Sequence, residues 1–291
     1  MKYLILPFIF FLSIQVQAID KQFPTPGHVY VPGRDTGFNQ YLAKSLHGTH
    51  KIALTFDDGP HVTNTPIVLD ILKKFKVKAT FFILTERINA STLPIIYRMM
   101  AEGHNIASHH ENHLDNNTKN EEVFRAELGR SVTDIATLMD EQNAPHREIY
   151  YRFPYGAYGS KKLAYHHLNV MKDVSRNLFG NNCINFVFWD IDSVDWLTLT
   201  PDEISQNVMA NIFGGTAYDF DKDSNGAYVK KKITITDPPG GGVMLIHDIH
   251  SRSVAALPRL LQKFIDKRVK VVPLQEVKEY AFNGKECRLR N

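Results

Sequence analysis

Two short stretches of the chain concentrate groups that can hold a cation and move a proton. Thr55-Phe56-Asp57-Asp58-Gly59-Pro60 sets two carboxylates side by side before a tight turn. Adjacent side chains cannot share one direction, so Asp57 and Asp58 are free to take different tasks. In Ser108-His109-His110-Glu111-Asn112-His113, the first and third histidines stand four residues apart, which puts His109 and His113 on one face of a helical turn. One carboxylate with this pair makes three ligands and leaves positions open for water and substrate, the pattern of catalytic rather than structural zinc. Each stretch alone has a plainer reading: a turn for Asp-Asp-Gly, a surface pair for the histidines. Together, at the ends of successive strand candidates, they favour a catalytic metal site over these plainer readings.

Such groups need a rigid frame. From Lys51 onward, β-branched and aromatic runs at 51–56, 78–84, 105–108, 149–153, 184–190, 243–247 and 269–273 alternate with helical patterns. Val68, Ile71, Leu72 and Phe75 recur at helical spacing, with Thr65 and Pro66 expected as N-cap and first-turn proline. Phe124, Leu128, Ile135 and Leu138 repeat the pattern, as do Val254, Leu257, Leu261 and Phe264. This alternation predicts an α/β fold, a parallel sheet or barrel of about seven strands with helices outside, in a single domain. Its active groups belong where strands end.

The chain's 291 residues, 43% hydrophobic, suffice for one large core, and a formal charge of +3 is too small to imply a nucleic-acid partner. Residues 1–18 read as a signal peptide: Lys2, an apolar run from Leu4 to Leu12, and a small-residue cleavage site ending at Ala18. That run is too short for a transmembrane anchor, which needs ~20 residues. Secretion or a periplasmic location after cleavage near Ala18 is therefore expected. Residues 19–50 form an N-terminal arm, 51–291 the catalytic domain, and 214–242, rich in Gly, Asp and Lys, a loop insertion or hairpin beside the site. Within it, Asp221-x-Asp223-x-Asn225-Gly226 opens like a calcium loop, but Lys232 stands where a bidentate Glu belongs, so a polar hairpin tip is favoured. Cys183 and Cys287 either form a bridge in an oxidising compartment or remain two buried thiols.

Five ordered motifs from Thr55 to His247 resemble the polysaccharide deacetylases, the NodB-homology carbohydrate esterases of family four. With this resemblance the expected fold is a distorted (β/α) barrel with about seven parallel strands, forming one catalytic domain. Thr55–Pro60 matches the first motif in full, and the resemblance implies Asp57 as general base and Asp58 as metal ligand. His109–His113 matches the second, with His110 in place of the usual hydroxyl, and implies His109 and His113 as the other ligands. Arg152-Phe153-Pro154-Tyr155 matches the third: Arg152 would orient the base, the Tyr155 backbone N–H would meet the oxyanion, and Pro154 with Tyr155 would line the substrate site. In the fourth, Asp192–Trp196, Asp195 would hold the acid histidine and Trp196 wall the groove. In the fifth, Leu245-Ile246-His247, Leu245 would shape the acetyl pocket and His247 serve as general acid.

The chemistry agrees. Amide hydrolysis needs a nucleophile, stabilisation of a tetrahedral oxyanion and a proton for a poor leaving group. A carboxylate beside His247 would favour its charged form, as a donor requires. His250, three residues on, is expected at the rim, and His61, which directly follows the first motif, is not counted among the site residues. The expected cofactor is one divalent metal, Zn2+ first, with Co2+, Ni2+ or Mn2+ suiting the same ligands. The expected partner is a polysaccharide, a peptidoglycan glycan strand deacetylated at N-acetylglucosamine. Chitin oligosaccharides and acetylxylan are the alternatives, and an inactive glycan-binding protein is the alternative of another class.

Overall fold

The computed structural model describes residues 41–144, 149–159, 167–280 and 287–290. The signal segment and the arm as far as residue 40 lie outside them. Along the described residues, strands and helices alternate as β1 (Lys51–Asp57), α1 (Asn64–Phe75), β2 (Thr80–Ile83), α2 (Leu93–Ala101), β3 (Asn105–Ser108), α3 (Glu121–Glu141), β4 (Ile149–Tyr151), α4 (His167–Phe179) and β5 (Ile184–Phe186). They continue as β6 (Ile191–Asp192), α5 (Pro201–Phe213), β7 (Gly215–Lys222), β8 (Tyr228–Ile235), β9 (Gly242–His247), α6 (Ser251–Asp266) and β10 (Lys270–Val271). Eight strands form one parallel sheet in the order β5-β4-β3-β2-β1-β9-β6, with β10 beside the start of β1. This is the expected distorted (β/α) barrel.

Alternation along the strands divides the interior from the helical shell. Ile52, Leu54 and Phe56 of β1 join Met244 and Ile246 of β9 in the large core under the helices. Ala53 of β1, Phe82 of β2, Ala107 of β3, Tyr150 of β4 and Val243 of β9 pack in a second cluster inside the barrel. Side chains on a strand change face at every residue, so Thr55, Asp57, Arg152, Leu245 and His247 share the inner face with Ala53, Tyr150 and Val243. Catalytic candidates are thus the continuation of the inner cluster at the C-terminal rim.

Two expectations need correction. The run 184–190, read as one strand, is a strand only over Ile184–Phe186: the chain leaves β4 after the Val187 N–H bonds the Tyr151 carbonyl, and reaches β9 where the Asp190 N–H bonds the Val243 carbonyl, just before β6. The segment 187–190 therefore spans the gap between the sheet's two edges, and β6 adds the eighth strand. The N-cap of α1 is Thr63, not Thr65. Thr65 lies inside the first turn, where its hydroxyl accepts the His61 N–H at 2.8 Å, while His61 Nδ1 accepts the N–H groups of Thr63 and Asn64. An imidazole thus serves the free helix N–H groups, work usually done by Ser, Thr, Asp or Asn.

Cys183 and Cys287 form a disulfide, tying the C-terminal tail to the start of β5. The 214–242 insertion is the antiparallel hairpin β7–β8. At its tip, Asp223 Oδ1 accepts the N–H groups of Asn225 and Ala227, and Lys231 pairs with Asp221 at 2.7 Å. These carboxylates are engaged in a turn and an ion pair, in accord with the hairpin-tip reading.

Candidate metal centre and active site

Parallel strands bring all their C-terminal ends to one rim, and the register sets which groups meet. Asp57 lies directly opposite His247 on the neighbouring strand, and Asp192 opposite Leu245. After β1 the chain turns sharply: Asp58 has φ of 71°. Three further non-glycine residues at this rim, His110, Tyr155 and Val194, also have positive φ, at 76°, 57° and 57°. Each such residue costs about 1–3 kcal/mol, strain that persists where the surroundings over-determine it. Here it re-aims side chains just beyond β1, β3, β4 and β6.

The strained turn at Asp58 directs its carboxylate at the two expected imidazoles. Asp58 Oδ1 is 3.3 Å from His109 Nε2 and 3.4 Å from His113 Nε2, and one ligand atom from each of the three residues lies within 4.8 Å of the others. Asp58 Oδ1 is buried without a hydrogen-bond partner. A buried acceptor left unpaired is costly, and two ring nitrogens converging on it make a cation the natural partner. The donor set, one carboxylate oxygen and two imidazole nitrogens, fits Zn2+.

His109 Nδ1 donates to the Arg152 carbonyl at 2.9 Å, which fixes the tautomer and leaves the Nε2 lone pair facing Asp58. Burial pushes the His113 imidazole down to about 4, so it is neutral near pH 7, as a ligand must be. Burial would raise the Asp58 carboxyl, but attraction to His109, then to His247 and His113, holds it well below the usual carboxylate range.

Asp57 has a different environment from its neighbour. Its Oδ1 accepts from Arg152 Nη1 at 2.7 Å, and the same Nη1 reaches Thr55 Oγ1 at 2.8 Å. Arg152 is fully enclosed, donates through Nε and Nη2 to the carbonyls of Val187 and Phe188, and lies 4.1 Å over the Phe82 ring. The guanidinium is thereby immobile, and so is the carboxylate it holds. On the other flank, His247 Nδ1 meets Asp195 Oδ1 at 2.7 Å, and the His247 N–H donates to Asp195 Oδ2 at 2.9 Å. Ser253 also donates to Asp195 Oδ2. Burial alone would lower His247, but the charge and hydrogen bond of Asp195, reinforced by Asp58 and Asp57, push it up to about 10. His247 Nε2 then points back to Asp58 Oδ2, 3.9 Å away.

The remaining expected residues lie on the same rim. Pro154 is buried in a short 3₁₀ turn, and the exposed Tyr155 ring packs against His113 with centroids 4.3 Å apart. Leu245 is buried on the inner face, two residues before His247. Trp196 is exposed, its Nε1 bonded to Asp192 Oδ2 at 3.4 Å. His250 is the half-buried N-cap residue of α6, its ring centroid 5.7 Å from that of His247. His61 is a helix cap.

Sequence reasoning missed two supports. His110 is fully buried, with Nε2 2.9 Å from Glu127 Oε2, and Tyr151 Oη 2.8 Å from its Nδ1. Lys119 Nζ continues the chain to Glu127 and to Asn112 Oδ1 at 2.5 and 3.2 Å. The ligand-bearing turn 109–113 is thus gripped at two points from α3 and the segment before it. The departure at His110 was the one available signal. Asp248, also fully buried, accepts from Thr65 and lies so close to Gly59 that any side chain there would collide with its carboxyl. The glycine of the first motif is required by that approach.

A parallel barrel carries at its C-terminal rim a carboxylate–imidazole group able to hold a metal ion, with an arginine-held carboxylate on one side and a carboxylate-held histidine on the other, an arrangement suited to hydrolysis. The polysaccharide deacetylase family model matches residues 45–171. A chitooligosaccharide deacetylase of Sinorhizobium fredii is 32% identical over 178 residues, covering 60% of this chain and 73% of that protein. The chain belongs to the polysaccharide deacetylase family. It is also similar to a peptidoglycan-N-acetylglucosamine deacetylase of Bacillus cereus, 34% identical over 177 residues, 60% of this chain and 57% of that protein. The match thus spans little more than half of the Bacillus cereus protein. The solved structure of a peptidoglycan N-acetylglucosamine deacetylase superposes with a TM-score of 0.55 at 27% identity, over 82% of this chain and 91% of that one. No helix among the described residues is long and apolar enough to cross a membrane.

Proposed function

We propose that the chain is a metal-dependent hydrolase that removes acetyl groups from N-acetylglucosamine units of a cell-wall polysaccharide, peptidoglycan first. The observation that carries this reading is the convergence of Asp58, His109 and His113 between the Arg152–Asp57 and Asp195–His247 pairs. Asp58, His109 and His113 would hold one divalent cation, Zn2+ before Co2+, Ni2+ or Mn2+, which would supply Lewis acidity and lower the pKa of a bound water.

Asp57, immobilised by Arg152, takes the proton of the attacking water. The Tyr155 N–H stabilises the oxyanion that develops on the acetyl carbonyl. His247, charged because Asp195 holds its Nδ1–H, gives its Nε2 proton to the departing amine. Collapse of the tetrahedral adduct then releases acetate and a glucosamine unit. Leu245 shapes the acetyl pocket, and Pro154, Tyr155 and Trp196 border the sugar.

Peptidoglycan is preferred because two of the similar proteins carry that activity in their names, and the Sinorhizobium fredii relative makes chitooligosaccharide the second choice. The Cys183–Cys287 bridge supports export, since disulfides persist in oxidising compartments. Acetate release with and without chelator, from purified peptidoglycan, chitin oligomers and acetylxylan, tests the proposal. Chelator-sensitive release from peptidoglycan is expected, and it should vanish in Asp57→Asn while metal content stays. Release only from the other glycans would replace the substrate, and no release from any of them would leave a glycan-binding protein.

A further inference from the structure

Beyond the acetamide site, the β7–β8 hairpin carries an aromatic residue that no part of the reaction above uses. The hairpin is firmly seated. Asn207 of α5 donates to the Tyr218 carbonyl at 3.0 Å and accepts its N–H at 2.6 Å, Lys230 pairs with Glu203 at 2.6 Å, and Ala217 is buried. At the tip end, Tyr228 and Trp196 make a T-shaped contact, with ring centroids 6.1 Å apart and planes at 83°. Lys222, its cross-strand partner, places its ammonium 5.1 Å from the Tyr228 centroid.

Neither ring is hidden by this contact. Trp196 remains 44% exposed, Tyr228 52%, and the adjacent Val229 51%. An aromatic pair that served only to pin the hairpin would gain most by burying both faces, and adjoining exposed rings mark a recognition surface. Rings at 83° make a corner with two walls. A single flat ligand cannot stack on both, whereas a chain of linked pyranoses can lay the C–H face of one unit on Trp196 and of the next on Tyr228. Trp196 follows directly on Asp195, so the corner is continuous with the site.

We propose that Tyr228 forms a second sugar subsite, binding the unit next to the one walled by Trp196, so that this chain selects oligomers of β-linked N-acetylhexosamine over disaccharides. The inference rests on the deacetylase reading. The ammonium of Lys222, over one face of the Tyr228 ring, suits a hydroxyl or carboxylate at the edge of a sugar unit laid on the other.

The test is calorimetric binding of N-acetylglucosamine oligomers of two and six units to the full chain stripped of metal by chelator, with kcat and KM on the loaded protein as a second readout. The wild-type chain should bind the hexamer more tightly than the dimer. Tyr228→Ala should weaken the hexamer about tenfold, expressed in KM rather than kcat, and shift the dimer far less. Tyr228→Phe should restore hexamer affinity, because stacking needs the ring and not the hydroxyl. Should Tyr228→Ala disturb the hairpin, Tyr228→Gln, which keeps the strand covered but lacks a ring, repeats the measurement. An unchanged hexamer-to-dimer ratio in a folded Tyr228→Ala or Tyr228→Gln chain overturns the subsite and leaves the reaction standing. A wild-type chain that neither binds nor deacetylates these oligomers or peptidoglycan overturns both.

Discussion

Arg152→Met is the perturbation that probes the site's electrostatics most directly. The substitution keeps an apolar stem over Phe82 but removes the donors to Asp57, Thr55, Val187 and Phe188. Asp57 is 2% exposed, so water cannot replace the guanidinium. Removing one partner of a buried pair costs about 3–5 kcal/mol, a large share of a typical ~5–15 kcal/mol. At about 2–4 °C per kcal/mol, a loss near 4 kcal/mol lowers the melting temperature by about 8–16 °C.

The assay is urea denaturation of the metal-free protein, followed by circular dichroism, for wild type, Arg152→Met, Asp57→Asn and the double variant. Asp57→Asn removes the charge that Arg152 serves, so the double variant should be less destabilised than the sum of the singles by at least about 2 kcal/mol. Arg152→Lys should fall between wild type and Arg152→Met, since it keeps charge but not the fork. Additivity within about 0.5 kcal/mol would refute the claim that Arg152 holds the Asp57 carboxylate, and with it the orientation of the proposed base.

Three other perturbations reach different parts of the molecule. Glu127→Gln loosens the grip on the turn bearing His109 and His113, and should weaken metal affinity about 10–100-fold by chelator competition; unchanged affinity would free the ligands from this network. Replacing Cys183 and Cys287 by serine opens a cross-link spanning 104 residues and should cost about 2–5 kcal/mol by denaturant midpoint; no change would mean that packing alone fixes the tail. Burial, with the charge of Lys78, pushes His104 down to about 4. Its folded value lies below the unfolded ~6.5, so its contribution is full above pH 6.5 and lost as pH falls through 4, at most roughly 3 kcal/mol. His104→Asn should flatten the stability profile over that window, and an unaltered slope would place the acid sensitivity elsewhere.

Local pattern carried the barrel and most of the candidate site. Strands β1 and β9 are apolar on both faces, and helices α1, α3 and α6 repeat at helical spacing, because burial against a fixed geometry writes its period into the chain. The residues of the candidate metal site also stand in short contiguous motifs, since each motif is the end of one strand and the turn after it.

What the tertiary structure decided is how those ends meet. Arg152 reaches Asp57 across 95 residues and His247 reaches Asp195 across 52, distances over which only sheet register selects partners. The run 184–190 has a strand's composition throughout, yet breaks because the chain must pass from one edge of the barrel to the other. Thr65 looks like a cap but lies inside α1, where His61 and Asp248 occupy it. Glu127 and Asp248 carry no motif of their own, and become legible only through what they touch. Pairing of Cys183 with Cys287 and the meeting of Tyr228 with Trp196 follow the same rule. Periodicity is a property of neighbours in sequence, whereas proximity between distant residues is set by the register and twist of the sheet that carries them.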